Sequence, residues 1–379
     1  MINLKNVSKY KVDKFILIPM FLFVIISILT INSAQELLPS YLNNLYIKQL
    51  VWYVLGFAIA YFIMFIGNSY IYRNIGILYI IGVFTLVALL LFAEPINDAR
   101  CWFTIPGVGT IQPSEFMKII LIITLAKMIN KFNEDYSNPT VKEEFIFLLK
   151  IIAIVFIPSI LTFLQPDTGV VLIYLIITIV MLFVSGIRYR WFAILFGVLG
   201  TLVAIVLIIY FANTDLFINL FGTNFFLRVD RLLDWSSKTG YQLENGLSAI
   251  GAGGLLGNGL GNTPIYFPEP QTDFIFAVFA NNFGFIGSLF LIGLIIFFDI
   301  YLISVAINTN KNINKYVIAG IVGMLLYQQF QNIGMTFGLL PITGITLPFI
   351  SYGGSSLLSY MLMAGIIFNI SNESFRYTN

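Results

Sequence analysis

Histidine is absent from this 379-residue chain, and cysteine occurs once, as Cys101. Histidine–cysteine metal sites, Ser-His-Asp triads and intramolecular disulfides are thereby excluded. Acid–base chemistry has to come from Asp, Glu, Lys or Tyr, and the polar residues that stand out fall in five clusters. In the first, Arg100, Cys101 and Trp102 lead to Gln112-Pro-Ser-Glu115 and then Lys118. Pro113 suits the first turn of a helix, and Ser114 and Glu115 suit its positive end. Glu115 and Lys118 lie three apart, share a helix face and can pair. Helix capping with a surface ion pair is the plain reading. An acid and a base entering an apolar span are costly and default to function.

In the second cluster, Gln165-Pro-Asp-Thr-Gly169, Asp167 either makes turn hydrogen bonds or serves a site. The third joins Arg228-Val-Asp-Arg231 to the glycine-dense stretch 249–261, which permits close backbone approach. It lacks the Lys and Ser/Thr of a P-loop. The fourth is Pro268-Glu-Pro-Gln-Thr-Asp273, where Asp273 can cap the next helix, and capping does not preclude catalysis. The fifth runs from Gly338 to Ser356 and contains two prolines, Ser351 and Ser355. It suits an irregular segment lining a cavity, or else close helix packing by small residues.

The elements that must position these residues are membrane helices. Hydrophobic residues make up 59% of the chain, charged ones only 10%, and mean hydropathy is +0.91; soluble domains carry about 25% charged residues. The net charge of +2 gives no nucleic-acid signal. Ten segments approach the ~20 apolar residues of a spanning helix: 15–31, 50–66, 75–93, 114–129, 145–164, 169–185, 191–212, 274–306, 315–338 and 346–370. The eighth is too long for one span, so Gly284 and Gly287 are expected to break it, or its start to lie along the surface. The first is too long for a cleaved signal core and is expected to be retained.

Basic residues accumulate on the cytoplasmic side. With the N-terminus inside, 14 fall there and six outside: Lys48, Arg100, Lys118, Arg228, Arg231 and Lys238. Both termini are then cytoplasmic, all five clusters face outward, and Cys101 should be open to an impermeant maleimide. The loop 213–273 between the seventh and eighth spans is too long to be a mere connection, and its aromatic and glycine content predicts that it folds over the membrane mouth. No internal repeat is evident, which argues mildly against an inverted-repeat transporter.

Taken together, the clusters resemble the SEDS family (shape, elongation, division and sporulation), which includes RodA and FtsW. The matching elements are Trp102 with Gln112-Pro-Ser-Glu115 and Lys118, Gln165-Pro-Asp167, the 249–261 glycines, Pro268-Glu269 with Thr272-Asp-Phe-Ile-Phe276, and Leu347-Pro-Phe-Ile-Ser-Tyr-Gly-Gly-Ser-Ser356. They occur in the family's order over nearly the whole chain, and Leu340-Pro-Ile-Thr-Gly344 looks more like the RodA branch. The resemblance implies a single all-α polytopic domain over 1–379 that polymerises the lipid-linked disaccharide-peptide lipid II beside a class B penicillin-binding protein. It also implies that Asp273 is the essential acid and Trp102 important. Three departures are Gln271, where the family has His, Asn281 and Asn282, where it has acids, and Trp235, where it has Pro.

The expected reaction joins an acceptor sugar hydroxyl to the anomeric carbon of a donor that leaves as polyprenyl pyrophosphate. Asp273 is the expected general base. Arg100, Lys118, Arg228 and Arg231 are candidates for charge against the pyrophosphate, with a divalent cation (Mg or Mn) as an option. Trp102 either stacks on a sugar or sits in the interfacial belt. Gln112, Ser114, Glu115, Gln165, Asp167, Glu269, Ser351 and Ser355 complete the candidate substrate-binding set, with membrane lipid around it. The alternatives are a flippase for the same precursor and a non-catalytic scaffold of a wall-synthesis complex.

Overall fold

The computed structural model describes residues 11–39, 42–95, 99–105, 109–234 and 240–377. It is a helical bundle of α1 (Lys14–Ala34), α2 (Leu45–Ile66), α3 (Asn68–Phe92), α4 (Pro113–Asp135), α5 (Val141–Leu164), α6 (Thr168–Val184), α7 (Arg190–Ala212), α8 (Thr214–Phe221), α9 (Thr223–Asp234), α10 (Tyr241–Ala252), α11 (Ile275–Asn308), α12 (Asn312–Thr336) and α13 (Gly354–Tyr377). Each of the ten expected spans falls on a helix. Seven of them, α1, α2, α3, α5, α7, α11 and α13, are long and apolar enough to cross a membrane unaided. The molecule is a polytopic helical membrane protein. Phe62, Ile80, Phe84, Phe92 and Ile208 stand more than half exposed around its outside, which only a lipid solvent tolerates at such density.

The three helices outside that set are explained by position and length. Helix α6 has 17 residues, and α4 and α12 form the centre, packed against α3, α6, α11 and α13. Shielded from lipid, α12 can carry Gln328, Gln329, Gln331 and Asn332. Each of these amides finds a partner on a neighbouring element. One departure from an all-α chain is a small antiparallel hairpin, β1 (Phe103–Ile105) with β2 (Gly109–Ile111). Another is the tenth span, whose helix starts at Gly354 rather than 346. Residues 346–353 are irregular, as the prolines and glycines there predicted.

Helix α11 breaks at Gly284 (φ 66°, ψ −163°), while Gly287 stays helical. Ile275–Asn282 before the break are buried within the protein and do not lie along its surface. Backbone groups freed by the break are recaptured by the glycine turn after α10. Asn258 N donates to Asn281 O (2.9 Å), Gly259 N to Asn282 O (3.1 Å), and Phe285 N to Gly254 O (2.9 Å). A Cβ on Gly284 would sit 2.4 Å from Gly257 N, so this backbone-on-backbone clasp requires glycine. The loop thus divides in two. Helix α10 and its glycine turn pack onto α11, whereas α8 and α9 follow α7, a helix with no buried residue.

Candidate active site

At the end of the bundle where the 213–273 loop lies, a cavity of about 900 Å³ opens between the helix starts. Its wall contains Trp102, Gln112, Glu115, Asp167, Glu269, Asp273 and Ser355 from the expected set, drawn from the β1 and α4 region, the turns before α6 and α11, and the start of α13. Four of the five sequence-distant clusters therefore converge on one space, and the third, 228–261, contributes none of its described residues to the wall. Two members of the wall also hold it together. Gln112 Nε2 donates to Asp167 Oδ2 (2.7 Å), and Asp167 Oδ1 accepts from Val170 N (3.2 Å), capping α6. Asp167 makes the turn bonds and also faces the cavity. Burial raises its pKa to about 6, against the pull of the Val170 amide. Ser355 Oγ accepts from Gln112 N (2.9 Å) and donates to Thr110 O (3.2 Å), tying α13 to the hairpin.

Asp273 stands on the turn before α11, and the structure does not make it a cap. The N-cap position is Phe274, with no side-chain cap bond. What fixes Asp273 is the backbone. Three consecutive carbonyls are each taken by a different donor: Gln271 O by Tyr352 N (2.8 Å), Thr272 O by Ser351 Oγ (2.6 Å), and Asp273 O by Asn332 Nδ2 (2.8 Å). Gly344 (φ +71°) brings its backbone so close that a Cβ there would lie 3.6 Å from Asp273 Oδ2. The carboxylate itself accepts no hydrogen bond among the described residues. Burial first, and the Glu269 charge second, raise its pKa to about 7, the range that suits a general base.

The ion pair expected between Glu115 and Lys118 is formed, at 2.7 Å. Only its acid reaches the cavity, because Lys118 is fully buried behind it, over the ring of Tyr360 (5.2 Å). Several other candidates stand away from the wall. Ser114 is buried, with its carbonyl accepting from Tyr174 Oη (3.0 Å). Gln165 is fully buried and donates to Leu86 O (2.9 Å). Ser351 is the clamp just described. Arg100 turns outward and donates to Leu90 O (3.0 Å). The side chains of Arg228 and Arg231, and residue Trp235, lie outside the described residues. Cys101 departs from its expected accessibility. It is 2% exposed, donates to Gln165 O (2.8 Å), and burial raises its thiol to about 12. It is a poor maleimide target whichever side it faces.

Lys48, Trp52, Gln328 and Tyr352 also line the cavity and were not among the expected site residues. Lys48 had been counted only for orientation. Trp52 lay within an apolar run and Gln328 within a span, where a polar residue is itself the signal. The departures Asn281 and Asn282 do not line the cavity. Asn281 Nδ2 donates to Ala249 O (2.8 Å), and Asn282 Oδ1 accepts from Thr263 Oγ1 (3.4 Å), so both serve the clasp. Gln271 donates to Glu269 Oε2 (3.0 Å). The described residues hold no group of three or more His, Cys, Asp or Glu side chains arranged to bind a metal ion.

Comparison with known proteins gives the family of the chain. The cell cycle protein family of FtsW, RodA and SpoVE matches residues 11–376. The probable peptidoglycan glycosyltransferase FtsW of Coxiella burnetii is 31% identical, with 98% of this chain and 99% of that one aligned. Stage V sporulation protein E of Bacillus subtilis is 32% identical over 86% of this chain and 87% of its own length. Among solved structures, a chain from a study titled structural coordination of polymerization and crosslinking by a peptidoglycan synthase complex superposes with a TM-score of 0.78 at 23% identity, covering 96% of this chain and 99% of that one. Thermus thermophilus rod shape determining protein RodA gives 0.70 at 24% identity, covering 97% and 99%. These names do not separate the RodA branch from the FtsW branch, so the lean of Leu340–Gly344 toward RodA is neither supported nor opposed. The chain belongs to the SEDS family of FtsW, RodA and SpoVE.

Proposed function

We propose that this protein is a peptidoglycan glycosyltransferase of the cytoplasmic membrane that polymerises lipid II at the outward face. The observation that carries this reading is the polar cavity, with an Asp273 carboxylate in its wall that accepts no hydrogen bond among the described residues. In the reaction, the acceptor hydroxyl gives its proton to Asp273 as its oxygen bonds to the donor's anomeric carbon. The bond from that carbon to the pyrophosphate oxygen breaks, and polyprenyl pyrophosphate leaves. General-base help of this kind is worth about 100- to 10,000-fold.

Lys48 is the lysine that lines the cavity without a carboxylate partner among the described residues, and it is the natural counter-charge for the departing pyrophosphate. Trp52 and Trp102 offer two flat faces for sugar rings. The polyprenyl tail stays in lipid, which explains why the chemistry is housed in a membrane fold. The relatives named as peptidoglycan glycosyltransferases and the similarity to a chain of a peptidoglycan synthase complex support the activity. The pairing of polymerization with crosslinking in that complex supports a crosslinking partner, and a class B penicillin-binding protein is the one the family resemblance implies. Outward orientation, with both termini cytoplasmic, rests on the distribution of basic residues.

The test is direct. Purified protein, with and without its partner, is incubated with lipid II, and glycan polymer is sought. A flippase would move a labelled precursor across a bilayer without making polymer, and a scaffold would do neither.

A further inference from the structure

Asn332 lies on α12, outside the cavity wall, and is fully buried. Its Nδ2 donates two bonds, to Asp273 O and to Ile345 O, both at 2.8 Å. One amide thus staples together two neighbouring segments of the wall, the 271–273 turn and the irregular chain 344–346. Its own Oδ1 is buried without a partner in the described residues. An orphaned acceptor of that kind costs about 1–3 kcal/mol, and a leucine of similar size would avoid the cost. The side chain is therefore poorly explained as packing and well explained by its two donors.

The other two carbonyls of the turn are held differently. Gln271 O and Thr272 O are bonded from residues 352 and 351, which sit on the same irregular segment as Ile345. Asn332 joins that assembly to the central helix α12, where Gln331 also bonds Pro341 O, and it does so at the residue whose carboxylate enters the cavity. A backbone free to shift there would move Asp273 relative to a bound hydroxyl.

We infer that Asn332 is a positioning residue for the reaction: by bonding the carbonyls of Asp273 and Ile345 together, it holds the Asp273 carboxylate at its place and depth in the cavity. This rests on the reading of Asp273 as the base. The titratable groups facing the same cavity are Lys48 on α2, Cys101 before β1, Glu115 on α4, Asp167 before α6, Glu269 in the same turn and Tyr352 before α13. None of them bonds Asn332.

The experiment compares wild type, Asn332→Ala, Asn332→Leu and Asp273→Asn in polymerisation of lipid II, each at a matched amount of folded, monodisperse protein, across pH 5–9. Both Asn332 variants should lose at least about tenfold in kcat with KM changed far less, since misplacing a catalytic group by 1 Å costs on the order of 100-fold. Their acid limb should also move down by about one pH unit, because a loosened carboxylate gains water and returns toward the reference value of about 3.9. A merely structural role would lower the yield of folded protein and leave kcat and the limb of the surviving fraction unchanged. That result in either variant overturns the inference. If Asp273→Asn retains the parent rate, the reading of Asp273 fails instead, whatever the Asn332 variants show.

Discussion

Two cavities of nearly equal size lie on this molecule, and their walls have opposite chemistry. One, of about 890 Å³, runs between α6, α11 and α12 and is lined by residues such as Val180, Ile303, Val322, Leu326 and Phe330, with Lys315 at one end. The other, of about 900 Å³, gathers Asp273, Glu115, Asp167, Lys48 and two tryptophans. Volume does not distinguish them. The difference lies in what each wall could do to a bond: the first offers contact area, and the second offers a base, a cation and flat aromatic faces. It also lies in construction. The apolar groove is made from three regular helices, whereas the polar cavity is made from helix starts, turns and irregular chain, where backbone and side-chain polar groups are free to point inward.

Substitutions that treat the two walls alike would break this comparison. The largest effect is expected at Asp273. Asp273→Asn keeps the side chain's shape and should still insert and bind the partner, while glycan polymerisation falls by at least about 100-fold, the lower range for loss of a general base.

The Glu115–Lys118 pair comes next, and here the structure predicts an asymmetry. Glu115→Gln strands a fully buried lysine, whereas Lys118→Met leaves an acid that cavity water can reach. Breaking a buried pair costs about 3–5 kcal/mol. Glu115→Gln should therefore lower the melting temperature in detergent distinctly more than Lys118→Met. Equal losses would mean that the pair is equally hydrated on both sides.

Lys48→Met should weaken the reaction by about 10- to 100-fold, the worth of one charge-assisted bond of 1.5–3 kcal/mol, with normal folded yield. Full activity of Lys48→Met would return the pyrophosphate role to Arg228 or Arg231. The smallest effect belongs to the groove. Leu326 is half exposed there, and Leu326→Ala should change stability by no more than about 0.5 kcal/mol and polymerisation without partner by less than twofold. A loss as large as that at Lys48 would show that the apolar wall is also part of the chemistry.

The sequence made some of this legible and hid the rest for identifiable reasons. The helices were readable because apolar runs of spanning length have few other uses. The cavity's acids were readable because charges stand out against such runs: Glu115, Asp167, Glu269 and Asp273 were all identified and all converge. Lys48 and Trp52 were hidden because Lys48, beside Gln49 and four residues after Asn44, reads as the ordinary polar start of a span, and Trp52 lies in the apolar run that follows. Asn332 and Gln328 were hidden inside a span, although the run Gln328-Gln-Phe-Gln-Asn332 was a visible anomaly. Arg100 misled, because residue type shows charge but not direction, and its side chain points to Leu90 O. The role of Asn281 and Asn282 could not be read at all without the fold. Their meaning depends on the glycine turn that comes back to meet them.

The pH dependence of polymerisation by the unmodified protein tests the central claim most directly. A base must be ionised to accept the hydroxyl proton. Asp273, held near 7 by burial and by Glu269, is ionised above that value and protonated below it. The rate at saturating lipid II should therefore rise with pH through about 7, level off above about 8, and fall about tenfold per unit on the acid side. The residual rate of Asp273→Asn should lack that limb. A wild-type profile that is flat from pH 5 to 9, or an identical limb in Asp273→Asn, would contradict the assignment of Asp273 as the base and of this cavity as the active site.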